Sequence, residues 1–595
     1  MNVLGLSFSD HEASAALVID GKLTSAIARE RVTRLKRDGI RWGACRLDLT
    51  PAMQYCLETN GLTLDDVDLI VWSHTDHLAA EEVYQSLAAE GGVDLSSRPL
   101  LPIPHHFAHA CGAYYSSPFK GDVAVLIVDG AGGPFGAMLQ NCTGPEPEKI
   151  ASGSVLIQNL SPFEGDGSRE LESFYRFTDQ GGEVVRKIIG HWCGIGAVYG
   201  HASKLIFGDY LDAGKTMGLA PYGRPYSTRM FMEQTGPEDL RAFTRLTSQE
   251  RSGLESRIEK WRRHTTSSNY KSELLTDFTA SLQLETEEAL LEHARWIQKH
   301  TGLKRLCFSG GVALNCVANT RLAEETGFDE IFVPPCPGDD GISVGCALYG
   351  ASINGGVEPV TNPAYLGHDY SHDPEVIEAL GLKRCFHDQD LFETMAKEIA
   401  SGAVIAWYEG GSELGPRALG HRSFLADPRR ADVRERLNAE IKNRESFRPF
   451  APVVLLEAVA DYFVESNPSY FMSFVAQVRD EKRAVIPAVT HVDGSARYQV
   501  LREQDNPTLF KLIAAFARLT GIPMLLNTSF NRAGEPLVET PAEAGRCVVA
   551  STADYLVVDQ IPYRNVATGG LWHSTGFAGV AKESHGSPSR FADHG

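Results

Sequence analysis

Three apolar runs open the chain, Val3 to Phe8, Ala13 to Ile19 and Leu23 to Arg29, with only a few residues between one and the next. A crossover to a parallel neighbour needs roughly a dozen residues. These runs can therefore pair only as an antiparallel meander, with Asp20-Gly21 as its second turn. The pattern then changes. Thr50-Pro51 supplies an N-cap and a first-turn proline for a helix ending near Asn60-Gly61, and Asp68 to Ser73 reads as the next strand. A meander that passes into helix-linked strands predicts an α/β unit.

At 595 residues the chain exceeds what one hydrophobic core can serve. Gly355-Gly356, Pro359 and Asn362-Pro363 mark a break. The predicted organisation is a first domain over 1–360 with a mostly helical insertion at about 226–300, a linker over 361–385 and a second domain over 386–565. A tail rich in Gly, Ser and His over 566–595 is expected to be disordered. The net charge of −20 argues against a nucleic-acid or anionic-membrane partner. No apolar run approaches membrane-spanning length. Eleven cysteines contain no CxxC pair, and MNVLGLSFSD is not a signal peptide, so the thiols are expected to be reduced and the protein cytoplasmic.

Pro102 and Pro104 introduce His105-His106-Phe107-Ala108-His109. A spacing of four puts His105 and His109 one turn apart on one helical face, where both imidazoles can reach a single metal ion, while His106 points elsewhere. The buried-type strand Asp122 to Val128 ends at Asp129-Gly130, a carboxylate on a glycine turn and a third candidate ligand. On the rigid turn Pro337-Gly338-Asp339-Asp340-Gly341, Asp339 is the fourth. His11 lies on the loop after the first strand, where strand ends open toward a ligand. In RLCFSGGVALNC, Gly310-Gly311 joins a strand to a helix start and lets backbone approach a nucleotide, with Asn315 placed to touch base or ribose. Two strand-rich halves, 1 to about 120 and about 121 to 350, each with a glycine turn at a strand end, resemble the duplicated ATPase fold of actin, sugar kinases and heat-shock ATPases.

Basic residues concentrate in two places. Arg29 to Arg37 reads as a charged loop or helix end, from which Lys36 joins Gly310, Gly311 and Asn315 as a candidate nucleotide contact. The stretch Glu413 to Pro452 holds eight arginines and one lysine. Arg434 and Arg436, alternating with acids on a helix, read as a solvated face. Arg417, Lys442 and Arg448 sit among Gly, Pro and aromatic residues, where rigid guanidinium forks suit a densely charged anion. Further on, Asn527-Thr528-Ser529-Phe530-Asn531-Arg532 reads as a polar turn that can hold a phosphate.

With these motifs in hand the chain resembles, over nearly its whole length, the O-carbamoyltransferases of antibiotic and nodulation-factor biosynthesis, the NodU/CmcH type. The likeness rests on HEASAAL (His11 to Leu17), the HxxxH helix, MGLAPYG (Met217 to Gly223), SGGVALNCVAN (Ser309 to Asn319) and PGDDG (Pro337 to Gly341). It continues through GPRALGHRS (Gly415 to Ser423), IKNRESFRPFAP (Ile441 to Pro452) and NTSFNRAGEPLVETP (Asn527 to Pro541). It implies a first domain like the tRNA threonylcarbamoyl transferase and a second, YrdC-like domain that makes carbamoyl-adenylate from ATP and carbamoyl phosphate. Arg417, Lys442, Arg448, Arg497, Asn527 and Ser529 match its carbamoyl phosphate and nucleotide positions. His105, His109, Asp129 and Asp339 match a divalent metal site, iron(II) in that family, with Mg²⁺ accompanying ATP. His11 matches the base that takes a proton from the acceptor, the hydroxyl of a small molecule.

Three other readings compete with this one. A nucleotide-dependent switch without catalysis needs no separate arginine-lined pocket. A tRNA-modifying threonylcarbamoyl transferase is opposed by the net charge of −20. Hydrogenase-maturation carbamoyltransferases carry cysteine pairs that this sequence lacks.

Overall fold

The structure, a computed structural model, describes residues 1–9, 11–39, 49–75, 95, 98–130, 132, 169–190, 194–227, 229, 231–232, 256, 258, 272–385, 390–464 and 467–566. The opening runs form β1 (Asn2–Phe8), β2 (Ala13–Ile19) and β3 (Lys22–Ala28), the predicted antiparallel meander. A parallel pair, β4 (Leu69–His74) and β5 (Leu100–Pro102), completes a sheet of order β3-β2-β1-β4-β5.

The second sheet repeats this plan. It contains β6 (Val123–Val128), β7 (Arg169–Thr178), β8 (Gly181–Gly190), β9 (Arg305–Ser309) and β10 (Glu330–Phe332), in the order β10-β9-β6-β7-β8. β6, β7 and β8 are an antiparallel meander, and β9 and β10 add in parallel beside β6. Thus β6 stands where β1 does, and the expected duplication is visible in the strand order of two mixed sheets.

Between the sheets the helices His105–Tyr115 and Ile342–Ser352 cross in close contact. A Cβ on Gly345 would lie 1.9 Å from the carbonyl oxygen of Ala108, so only glycine permits the approach. That contact carries Asp339, just before one helix, to the histidines on the other. The long helix Glu273–Thr301 packs against the second sheet, burying residues such as Leu275, Phe278, Leu282, Leu290 and Ile297. Most of the predicted insertion before it lies outside the described residues, as does the tail from 567 onward.

A third sheet of eight strands forms the second domain. The helices Leu391–Ser401 and Pro507–Thr520 bury apolar residues at helical spacing, Met395 with Ile399 and Leu509 with Leu512, Ile513 and Phe516, in its core. Leu382–Arg384, inside the expected linker, is an edge strand of this sheet. The strand Met524–Ser529 runs through Asn527, Thr528 and Ser529, so the expected polar turn begins only after Ser529. The strand opens on apolar Met524, Leu525 and Leu526 and is paired on both sides. Phe447 and Phe474 from the second domain share a core with first-domain residues.

Arg29 to Arg37 acts as a clasp between the domains rather than a free charged loop. Arg31 donates to the Gly415 carbonyl at 2.8 Å, Arg34 to the Leu537 and Pro536 carbonyls, and Lys36 to the Glu535 carbonyl at 3.2 Å.

Candidate active site

Ligating atoms of His105, His109, Asp129 and Asp339 lie within 4.8 Å of one another, and all four residues are buried. His105 Nε2 is 3.2 Å from Asp129 Oδ2 and 3.4 Å from Asp339 Oδ1. His109 Nε2 is 3.8 Å and 3.5 Å from the same two oxygens. His109 Nε2 is also buried with no hydrogen-bond partner. An orphaned imidazole nitrogen facing two carboxylates is an arrangement that a divalent cation would satisfy. The residues therefore fit a divalent metal ion.

The electrostatics agree. Burial disfavours the His105 imidazolium, but Asp339 and Asp129 outweigh it and push its pKa up to about 10. Burial pushes His106, whose ring turns away to Ser173 Oγ at 2.9 Å, down to about 3.

The glycine turn after β9 braces this quartet. The Gly311 amide donates to Asp129 Oδ1 at 2.9 Å, and the Gly310 amide to the Pro337 carbonyl at 3.0 Å. Asp129 thus offers one oxygen to the quartet and the other to the turn. His11 stands at the rim, with Nδ1 2.9 Å from Ser9 Oγ and 3.8 Å from Asp339 Oδ2, its side chain 34% exposed. Glu12 beside it accepts from the Asp340 amide at 3.0 Å, tying the first strand turn to the PGDDG loop. Asn315 faces inward. Its carboxamide pairs reciprocally with Gln283, at 3.0 Å each way, and accepts from the Ala318 amide as a helix cap. The expected contact with a base or ribose would require that pairing to open.

The second cluster lies where the second domain meets this turn. Arg417 Nη2 reaches the Leu314 carbonyl at 3.3 Å. Burial first, then Arg497 and Arg448, holds the Arg417 guanidinium below its usual range. Arg497 Nε is buried and unpartnered. Arg448 has Glu445 only at 4.0 Å. Lys442 is buried without an acid, its ammonium bound by the Ser529 carbonyl and by Ser529 Oγ at 3.0 Å, the Asn531 carbonyl at 2.9 Å and Asn531 Oδ1 at 2.8 Å. Asn527 donates to the Ala418 carbonyl and to Gln499 Oε1, both at 3.1 Å, leaving its Oδ1 buried and unpartnered. Lys36 reaches this neighbourhood from the first domain and feels Arg448 electrostatically.

Arg444 was not singled out by the sequence. Burial, then Arg448 and Arg497, depresses its pKa, and it stacks over Phe450 at 4.3 Å. Helical periodicity alone would carry a regular helix on to Arg444. Instead the helix Ala431–Arg436 passes into a π-helical turn, Leu437–Ile441, and Asn443 adopts φ 39°. Arg436, read as solvated, is buried and pairs with Asp554 at 2.9 Å. Lys215 pairs with Asp212 and Glu445, consistent with a helix lysine rather than a phosphate contact.

One half of the molecule thus presents a site suited to a metal, the other a cluster of half-buried arginines and a buried lysine with, among the described residues, no carboxylate close to most of them. The comparisons with known proteins agree. The family model described as carbamoyltransferase N-terminus matches residues 2–97 and 80–348, and that described as carbamoyltransferase C-terminus matches 396–565. The chain belongs to the carbamoyltransferase family and is an enzyme transferring carbamoyl groups.

It is 31% identical over 633 residues to an uncharacterized protein of Synechocystis sp., covering 94% of this chain and 96% of that one. It is 33% identical over 596 residues to the nodulation protein NolNO of Sinorhizobium fredii, covering 92% and 78%. A 3'-hydroxymethylcephem-O-carbamoyltransferase of Amycolatopsis lactamdurans is 39% identical over 233 residues, covering 39% of this chain and 44% of that one. Among the described residues no helix is long and apolar enough to cross a membrane.

Proposed function

We propose that the chain moves a carbamoyl group from carbamoyl phosphate, through carbamoyl-adenylate, to a hydroxyl of a small molecule. The observation that carries this is the cluster of half-buried Arg417, Arg448 and Arg497 with buried Lys442, beside the glycine turn that braces the metal quartet. Two polyanions brought together repel, and fixed cations offset that repulsion. In this reading the second domain is the YrdC-like activating unit. Atom balance sets its steps. Water releases phosphate from carbamoyl phosphate, and the carbamate oxygen then attacks the α-phosphorus of ATP, expelling pyrophosphate.

In the first domain, His105, His109, Asp129 and Asp339 would hold a divalent metal, iron(II) on the family resemblance, which supplies electrostatic stabilisation to a bound phosphate. His11 Nε2 takes the proton from the acceptor hydroxyl, whose oxygen attacks the carbamoyl carbon as AMP departs. The relative that acts on a 3'-hydroxymethylcephem makes a primary alcohol on a compact scaffold the first acceptor to try.

A separation of functions tests the scheme. With carbamoyl phosphate, ATP, Mg²⁺ and metal but no acceptor, Arg448→Ala is expected to abolish pyrophosphate release and His11→Ala to retain it. Loss of release in both variants, or in neither, contradicts the division of labour.

A further inference from the structure

The arginine pocket poses a positioning problem. Arg417 stands at the tip of the loop from Glu413 to Arg422, held near Arg497 and Arg448, with the Leu314 carbonyl its one hydrogen-bond partner among the described residues. Like charges push such a loop open unless something inside it holds it shut. Glu413 is 1% exposed, and its Oε1 accepts three backbone amides from the far side of the loop: Leu419 at 2.7 Å, His421 at 2.9 Å and Arg422 at 3.1 Å. Its other oxygen is buried without a partner. Burial opposes its charge, but His421, Arg422 and the loop amides outweigh it and keep it ionised.

The other ties of the loop are both charged and neutral: Arg31 donates to the Gly415 carbonyl at 2.8 Å, and Arg422 to the Glu409 carbonyl at 2.7 Å and the Gly410 carbonyl at 2.8 Å. Tyr365 Oη and Gln499 Nε2 each donate to the Leu419 carbonyl at 2.8 Å, and Asn527 Nδ2 to the Ala418 carbonyl at 3.1 Å. Glu413 is the charge-assisted link that joins the two ends of the loop directly to each other.

We propose that Glu413 is a positioning residue that closes the loop and so presents Arg417 to phosphate-bearing substrates; this rests on the reading of the arginine cluster as the carbamoyl phosphate and ATP pocket. Its replacement acts on anion affinity through Arg417 and leaves the metal quartet alone. Glu413→Gln keeps the size and one acceptor oxygen but removes the charge and points an amide at the unpartnered side.

The test uses the full chain and inorganic pyrophosphate as probe, by titration calorimetry. Glu413→Gln is expected to weaken pyrophosphate binding about 10-fold or more. In an Arg417→Ala background the same substitution is expected to change binding less than about two-fold, because the residue through which it acts is gone. Metal binding should be unchanged. Tyr365→Phe, which removes only one neutral tie, should give a smaller loss in the same direction and serves if Glu413→Gln does not fold.

An equal further loss in the Arg417→Ala background, no loss in either single variant, or no binding of pyrophosphate by the wild type overturns the assignment. The two readings fail separately. Should pyrophosphate bind with this dependence while ATP is never consumed, the proposed reaction is wrong and the role of Glu413 stands. If the reaction proceeds and the KM for carbamoyl phosphate is unaltered in Glu413→Gln, the role of Glu413 is wrong and the reaction stands.

Discussion

Asp129→Asn is the substitution whose cost is most directly readable from the geometry. Asp129 serves two masters, with Oδ1 accepting from the Gly311 amide at 2.9 Å and Oδ2 facing His105 Nε2 at 3.2 Å and His109 Nε2 at 3.8 Å. An asparagine has one acceptor oxygen. Turned toward Gly311, it points an amide at the histidines; turned the other way, it sets two N–H groups against each other at the glycine turn. A hydrogen bond to a charged group is worth about 1.5–3 kcal/mol, and one is lost in either orientation. At about 1.4 kcal/mol per decade, this predicts a loss of metal affinity of about 10- to 100-fold, before any loss from the missing negative charge. Calorimetric titration of the metal-stripped protein with Co(II) measures it, with a thermal melt as the control for folding. Wild-type affinity in a folded Asp129→Asn protein would refute the assignment of Asp129 as a ligand braced by the turn.

Other consequences follow from single residues. Gly415 has φ +93°, and a Cβ there would lie 2.6 Å from the Pro335 carbonyl oxygen, so Gly415→Ala should lower the melting temperature and weaken pyrophosphate binding together. Glu172 is buried and its pKa is pushed up to about 7, burial outweighing the Ile195 amide and Arg186. The folded state then holds a proton that the unfolded chain releases near pH 4.5, so stability falls as pH rises from about 4.5 to about 7. Glu172→Gln should flatten that dependence and gain up to about 3 kcal/mol at pH 8 relative to pH 4, read by urea unfolding. Arg436→Ala leaves Asp554 without its buried partner and should cost roughly 3 kcal/mol by the same measurement.

The metal quartet was legible because each of its residues follows from a local rule. A four-residue spacing puts two imidazoles on one helix face, and Asp129 and Asp339 each end on a glycine turn that fixes where a carboxylate points. Arg417, Lys442 and Arg448 were legible for a similar reason, since Gly, Pro and aromatic neighbours set them off from a solvated helix. What the sequence concealed depends on contacts between distant segments. The Asn315 carboxamide is spent on Gln283, 32 residues earlier. Arg436 meets Asp554, 118 residues later. The clasp from Arg31, Arg34 and Lys36 grips carbonyls of the other domain, and carbonyls leave no signature in a sequence. Arg444 was hidden by a π-helical turn that helical periodicity cannot register, and Glu413 by the ordinary look of a glutamate between a serine and a leucine.

The central claim is that the second domain activates the carbamoyl group as an adenylate. Its most direct test is mass spectrometry of wild-type protein incubated with ¹³C-carbamoyl phosphate, ATP and divalent metal in the absence of acceptor. The account predicts a ¹³C-labelled carbamoyl-adenylate accompanied by pyrophosphate, both absent in Arg448→Ala. ATP left intact, or AMP formed without the label and without need of carbamoyl phosphate, would contradict it.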